Sequence, residues 1–376
     1  MKKLLLISQS ARGGLRKHLC ELLIHLNKQE FEIWIAYNDD FVDDDFKATI
    51  SDLSDRIHPV IIKELVREIS PKQDWLAYKK LSRLIKEIQP DIVHCHSSKA
   101  GVVGRLAAKR NHILKIFYTP HYYSFFSLEF SRLKQRLFIL IEKFLSRHAT
   151  TEIFTVSYGE KEGALAFHLD KAEKFKVIYN GLEKIEHYPS KQEIRQTLDL
   201  PEEAFIFGNM ARMDHQKNPF LFFELAKKVV ETAENIHFVW IGDGEYKTQV
   251  QAIISRYSLQ KNVHLFDYRA DSNILVAGFD AFLSTSVGEG LAYSPIEALR
   301  AGVPVFLSNV MGHREIVIPN FNGQLFDLET ILEKIDQVTN FVDWARKADR
   351  EAIIKDSGSK FLVEQMVAEI SKEYLD

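Results

Sequence analysis

The feature that most constrains this chain is a repeated alternation of short apolar runs, rich in Val, Ile and Phe, with longer segments of helical period. A short strand that is apolar on both faces needs cover on both sides. Alternation with helices supplies that cover in a doubly wound parallel sheet. In the first half the predicted strands are Leu4–Ser8, Ile33–Tyr37, Ile92–His96, Ile116–Thr119, Ile153–Ser157 and Val177–Tyr179. Helices are predicted at Leu15–Leu26, Trp75–Ile88, Gly101–Lys109 and Leu128–Arg147. A second series follows, with strands near Phe205–Asn209, His237–Ile241, Val263–Phe266, Ala281–Thr285, Val303–Leu307 and Gln324–Phe326. The fold class is therefore α/β, with two parallel-sheet domains in tandem. Asn180-Gly181 is a turn signal, and the polar segment that follows, with Pro189 inside it, reads as a linker. This places the domains at 1–183 and 184–357. The remaining stretch, 358–376, carries an apolar stripe at Phe361, Leu362, Met366, Val367 and Ile370 that needs a surface to cover.

A chain of 376 residues has room for more than one full core at ~150 residues per domain. With 46% hydrophobic and 27% charged residues it reads as globular rather than disordered. Lys and Arg number 49 against 52 Asp and Glu, a balance too even to imply nucleic acid as the main partner. Cys20 and Cys95 are the only cysteines, too few for a disulfide framework or a four-thiolate zinc site, and they fit a reducing cytoplasm. The apolar run at the start ends at Ser8 and reads as a buried strand rather than an export signal. No stretch approaches the ~20 apolar residues of a membrane span.

Functional residues of open α/β sheets lie just after the strands. No GxxxxGK[ST] loop is present and no GxGxxG follows the first strand, which weakens P-loop and standard dinucleotide readings. The most informative stretch is Ser286–Gly302, which leaves a buried strand, passes a glycine-containing loop and enters a helix. Backbone N–H groups at such a helix start suit a phosphate. Glu289 precedes the helix and Glu297 falls in its first turn, where Ser294-Pro-Ile-Glu297 also fits a capping box. The spacing does not set the two glutamates side by side as an acid and base pair, so they grip different parts of one elongated ligand. His94 and His96 alternate onto one face of a strand, but no third ligand has a convincing spacing and no metal site is expected. The segment Ser131–His148 is basic and very apolar. It reads either as a surface helix that attracts anionic lipids or as a buried helix; the apolar run Leu137–Ile141 encircles it and favours burial.

Glu289 and Glu297 match the E-x7-E signature of retaining glycosyltransferases of family 4, and other matches fall in order along nearly the whole chain. Ile7-Ser-Gln-Ser-Ala-Arg-Gly-Gly14 is similar to the family's first strand and glycine loop. Pro90-Asp-Ile-Val-His-Cys-His96 resembles its "PDIVHxH" strand, Thr119-Pro-His121 its active-site histidine loop, and Val177-Ile-Tyr-Asn-Gly181 the end of its first domain. In the second half, Phe207–Arg212 followed by Gln216-Lys217-Asn218 resembles its "GRL…KN" loop, and Ile241-Gly-Asp-Gly-Glu245 matches a further element.

The resemblance implies a GT-B fold, two facing Rossmann-like domains with an interdomain cleft, an acceptor-binding first domain and a donor-binding second one. It implies that the segment 358–376 crosses back to the first domain. His121, Glu289, Arg212 and Lys217 become the catalytic set. Donor contacts fall to Gly13, Gly14, Arg212, Lys217, Tyr268, Arg269, Glu289, Gly290, Leu291, Ala292 and Glu297, and His96 faces the acceptor. The family often has glycine where this chain has Ala292, so the loop does not identify the sugar. Arg212 and Lys217 would hold the diphosphate without a metal or other cofactor.

The implied activity is retaining transfer of a sugar, with a UDP-sugar as donor, to a glycan or lipid-linked acceptor in surface polysaccharide synthesis. The enzyme would be cytoplasmic, with peripheral contact to the inner membrane. Two alternatives stay open at this point: a nucleotide-sugar epimerase of similar fold and a non-catalytic sugar-binding protein.

Overall fold

The computed structural model describes residues 1–376, which divide into two compact units, Met1–Leu182 with Leu362–Asp376, and Glu183–Phe361. The first unit holds β1 (Lys2–Ser8), β2 (Phe31–Tyr37), β3 (Ile57–Ile61), β4 (Ile92–His96), β5 (Lys115–Thr119), β6 (Glu152–Thr155) and β7 (Phe175–Val177) in one sheet of order β3-β2-β1-β4-β5-β6-β7. The second holds β8 (Phe205–Met210), β9 (Ile236–Ile241), β10 (Val263–Phe266), β11 (Ala281–Ser284), β12 (Val305–Ser308) and β13 (Gly323–Phe326), in the order β10-β9-β8-β11-β12-β13. Every strand pair is parallel.

Each strand order reverses once, between β1 and β4 and between β8 and β11. Ligands bind at such switch points. The loops at the switch points are those after β1 and β4 in one unit and after β8 and β11 in the other.

Burial on both faces follows from the apolar runs. In β1, Leu4 and Leu6 enter the core built with the helix Gly13–His25 and the terminal helix Val363–Leu375, while Leu5 and Ile7 enter the core on the opposite face. In the second unit Phe205, Phe207, Phe238 and Trp240 pack with the helix Pro219–Val230. The terminal helix buries Val363, Met366, Val367, Ile370 and Tyr374 in the first unit.

Several expectations change. The strand β3 is absent from the predicted series because Pro59 interrupts it; it is an edge strand, where proline's missing N–H is tolerated. Strand β7 ends at Val177 instead of starting there. The basic apolar segment starts its helix at Arg132, capped by the Ser131 hydroxyl, and runs to Ala149. Burial of that helix is overturned: Leu133, Leu137, Leu140 and Phe144 all lie exposed along it.

Asn180-Gly181 forms no turn. Leu182 instead bridges to Leu362, the Gly181 N–H donates to Met366 Sδ at 3.2 Å, and a Cβ on Gly181 would overlap the Leu362 carbonyl and the Val363 Cα. Glycine is required there by the close passage of the returning chain. Gly181→Ala is expected to destabilise the first unit by about 2 kcal/mol, the cost of forcing a methyl into a packed site. An unchanged denaturation midpoint would contradict this account of the crossing.

Candidate active site

In the second unit the loop after β8 carries Arg212 and Lys217, and the loop after β11 carries Glu289. Three groups of contacts knit these loops together. The Thr285 hydroxyl bonds the carbonyls of Lys217 and Asn218 at 3.1 and 2.9 Å. Val287 N–H donates to the Gln216 carbonyl at 2.8 Å, and Gln216 Nε2 reaches Gly288 O at 2.8 Å. Lys217 Nζ meets Glu289 Oε1 at 2.5 Å, with Glu289 buried. Burial alone would raise the Glu289 pKa, yet Lys217, with smaller help from His313 and Ser286, holds it below the usual value.

Arg212 remains 56% exposed at its side chain and pairs with Asp214 Oδ2 at 2.7 Å. The other oxygen of Asp214 accepts from Lys217 N–H at 3.1 Å. Asp214 thus orients both cations, a role the sequence reading missed because a lone loop aspartate carries no pattern. The Ile241-Gly-Asp-Gly-Glu245 element serves this loop as well. A Cβ on Gly242, at φ 142°, would overlap the Ala211 carbonyl, one on Gly244 would overlap Met213, and Asp243 O accepts from Met213 N–H at 2.9 Å. The glycines let β9's following turn lie flat against the segment that presents Arg212.

The helix Tyr293–Arg300 is entered from Ala292 without a side-chain cap, and the positive end of its dipole follows the loop that carries Glu289, the partner of Lys217. The capping box is not formed. Ser294 Oγ donates instead to the Met210 carbonyl at 2.7 Å, tying the helix to the end of β8. Glu297 is buried on the second turn rather than the first, close enough to Tyr188 that its charge, after burial, helps push that phenol to about 12. Gly290 and Leu291 are buried and Ala292 is half-buried; Gly312 passes so close that a Cβ would overlap the Gly290 carbonyl.

His313 is a site residue that sequence reading missed. It is fully buried, its Nδ1 hydrogen-bonds Ser308 O at 2.9 Å, and its Nε2 has no partner. Burial lowers it to about 4 despite the opposing charge of Glu289, so it is a neutral acceptor. Tyr268 and Arg269 follow β10, the edge strand, with Tyr268 exposed and Arg269 forked onto Asp271 at 2.9 and 2.8 Å.

In the first unit, Gly13 opens the helix Gly13–His25 at φ 57°, a left-handed conformation that favours glycine, whereas Gly14 carries no such strain. His18, on the same helix, bonds Asn180 Oδ1 through Nδ1 at 3.2 Å and leaves Nε2 buried without a partner. His94 and His96 do share one side of β4, with ring centroids 4.0 Å apart. His94 is committed to structure, between Tyr374 OH at 2.5 Å and Thr119 Oγ1 at 2.8 Å. His96 is fully enclosed and meets His121 Nε2 through its Nδ1 at 3.2 Å.

His121 and Tyr122 both adopt left-handed φ, 53° and 81°. Such strain persists only when the surroundings impose it. Here the buried carboxylate of Glu160 does so, accepting from Tyr122 N–H at 2.7 Å and from Val156 N–H at 3.0 Å. Burial pushes His18 to about 4 against the opposing hydrogen bond to Asn180, and burial with repulsion from neighbouring histidines pushes His96 and His121 well below the usual histidine value, so all three are neutral. One nitrogen from each lies within 4.8 Å of the others, close enough to hold a cation. The sequence offered no third partner for His96 because the partners come from the helix after β1 and the loop after β5.

Comparison with known proteins identifies the family. A family described as Glycosyltransferase Family 4 matches residues 12–184, and one described as glycosyl transferases group 1 matches 190–355. An Escherichia coli UDP-Gal:alpha-D-GlcNAc-diphosphoundecaprenol alpha-1,3-galactosyltransferase is 30% identical over 300 residues, 77% of this chain and 76% of its own. The capsular polysaccharide biosynthesis glycosyltransferase CapM of Staphylococcus aureus is 25% identical over 74% of this chain and 76% of its own. Among solved structures, Anabaena HepE in complex with UDP-glucose superposes with a TM-score of 0.76 at 20% identity, covering 99% of both chains. Sucrose-phosphate synthase from Thermosynechococcus elongatus superposes at 0.81 and 16% identity, covering 100% of this chain and 98% of its own. Two Rossmann-like units, the Glu289 and Lys217 loops at a switch point and matches along both halves make the chain a member of glycosyltransferase family 4, with a GT-B fold, a nucleotide-sugar donor and a glycan or lipid-linked acceptor.

Proposed function

We propose that this transferase is a retaining hexosyltransferase that takes a UDP-sugar, needs no metal ion and extends a lipid-linked glycan at the cytoplasmic face of the membrane. The observation that carries the reading is the ion pair of Lys217 with the buried Glu289 at the β8/β11 switch point, beside the start of the helix Tyr293–Arg300. A diphosphate leaving group needs fixed positive charge, and Lys217, Arg212 and that helix start supply it. UDP and a lipid carrier are favoured because the Escherichia coli relative is named for UDP-Gal and a diphosphoundecaprenol acceptor. HepE, a fold neighbour, was solved with UDP-glucose.

In this reading the donor sits on the second unit. Glu297 accepts from the ribose hydroxyls, Glu289 and His313 Nε2 accept from the sugar, and Gly290, Leu291 and Ala292 offer backbone groups. Tyr268 and Arg269 flank the base. Gly13 lets the helix start after β1 approach phosphate, and the acceptor belongs to the first unit, where His96 acts through His121. The neutral His121 stabilises positive charge developing on the sugar. The bond from the anomeric carbon to the diphosphate breaks as the acceptor oxygen attacks from the same face, and the acceptor's proton passes to the departing phosphate oxygen.

The test is transfer with and without EDTA, with the product's anomeric configuration read by NMR. Undiminished turnover in EDTA and the donor's configuration in the product are expected. Added Zn²⁺ is expected to inhibit, because neutral imidazoles are good ligands and His18, His96 and His121 converge. Loss of turnover in EDTA restored by Mg²⁺, or an inverted product, would overturn the reading.

A further inference from the structure

The helix Arg132–Ala149 presents a single apolar stripe to solvent: Leu133 is 78% exposed, Leu137 49%, Leu140 63% and Phe144 56%. Their spacing of four, three and four residues sets them one above another on a helix. Leu128, just before the helix, is 70% exposed as well. Helical geometry places Arg132, Arg136, Lys143 and Arg147 along one flank of the stripe and Lys134 with His148 along the other.

The helix has one carboxylate, Glu142, and it points the other way. It is buried, bonded to Arg105 Nη2 at 2.7 Å and to Tyr118 OH at 3.3 Å, while Arg105 in turn lies over the Tyr118 ring. Breaking such a buried pair is unfavourable, so the pair fixes the rotation of the helix about its axis and keeps the cationic apolar side outward. No helix of the chain is long and apolar enough to cross a membrane.

We propose that this face is a docking surface for an anionic lipid bilayer, with the helix lying in the interface, its leucines and Phe144 among the acyl chains and its cations at the headgroups. The choice of occupant rests on charge. A second copy of this face would set like charges against each other, whereas anionic headgroups complement both flanks. The purpose of the contact rests on the lipid-linked acceptor proposed above. The contact itself does not, because it is read without any transfer.

The experiment is co-sedimentation of the full chain with phosphatidylcholine vesicles containing about one third phosphatidylglycerol, and with pure phosphatidylcholine vesicles. Binding is expected to the anionic vesicles, at least tenfold weaker to the neutral ones, and reduced by salt. The variants Leu133→Ser/Leu140→Ser/Phe144→Ser and Arg132→Gln/Arg136→Gln/Lys143→Gln should each lose binding at least tenfold. Both should keep the wild-type melting temperature and turnover on a water-soluble acceptor. Equal binding by wild type and both variants, no binding to anionic vesicles, or self-association through this face abolished by the serine variant would overturn the proposal. Vesicle binding without transfer on any donor would instead count against the enzymatic reading alone.

Discussion

Lys217→Met is expected to lower turnover by two to three orders of magnitude, the size of effect seen when a fixed group facing developing charge is removed. It is also expected to destabilise the second unit by about 3 kcal/mol, because it leaves Glu289 buried without its counter-ion. The two effects separate in a double variant. Lys217→Met/Glu289→Gln removes both charges, so its denaturation midpoint should return most of the way to wild type while turnover stays low. Arg212→Ala offers a second check: its side chain is largely exposed and pairs only at the surface with Asp214, so turnover should fall with stability within about 0.5 kcal/mol of wild type. A folded Lys217→Met protein with turnover within tenfold of wild type would remove Lys217 from the phosphate role.

The second large effect is loss of stability in mild acid. His18, His237 and His313 are held neutral with values lowered to about 4, chiefly by burial. A histidine whose folded value is depressed stays uncharged in the native protein while the unfolded chain protonates below about 6.5. Stability is therefore intact above pH 6.5 and falls as pH drops toward 4. Glu152 acts in the opposite sense: burial and its contact with Glu373 raise it to about 7, so the native state takes up that proton first as pH drops from 7 to 4.5. The net excess of about two protons in the unfolded chain gives a slope of about 3 kcal/mol per pH unit. His94, His96, His121 and His264 are lowered too and add to the fall. Urea midpoints between pH 7 and pH 5 measure it. A midpoint unchanged across that range would mean that these histidines are not buried neutral.

Much of this fold was legible because doubly buried strands carry their own signal: runs such as Leu4–Ile7 and Phe238–Ile241 are apolar without interruption. Where that signal was weak, the reading slipped. Strand β3 was hidden by Pro59, and Asn180-Gly181 looked like a turn because dipeptide chemistry does not show that another stretch of chain passes beside Gly181. The helix Arg132–Ala149 was misjudged because Phe138, Ile139 and Ile141 are apolar and only the position of Arg105 reveals that Glu142 faces inward.

Glu289, Lys217 and His121 were found through family motifs rather than through chemistry that spacing alone could establish. Asp214, His313 and Glu160 were missed because each acts through a contact made only on folding: the Lys217 amide, the Ser308 carbonyl at the end of β12 and the strained Tyr122 amide. The clustering of His18 with His96 and His121 is of the same kind, since three separate elements deliver them.

The central claim, transfer from a UDP-sugar to a lipid-linked acceptor, is tested most directly by offering UDP-, GDP- and ADP-sugars with and without a lipid-diphosphate-linked glycan and following nucleoside diphosphate release and acceptor mass together. UDP release that depends on the acceptor, matched by the gain of one hexose on it, is the predicted result. An isomerised nucleotide sugar formed without acceptor, or binding of every donor with no release on any, would contradict it.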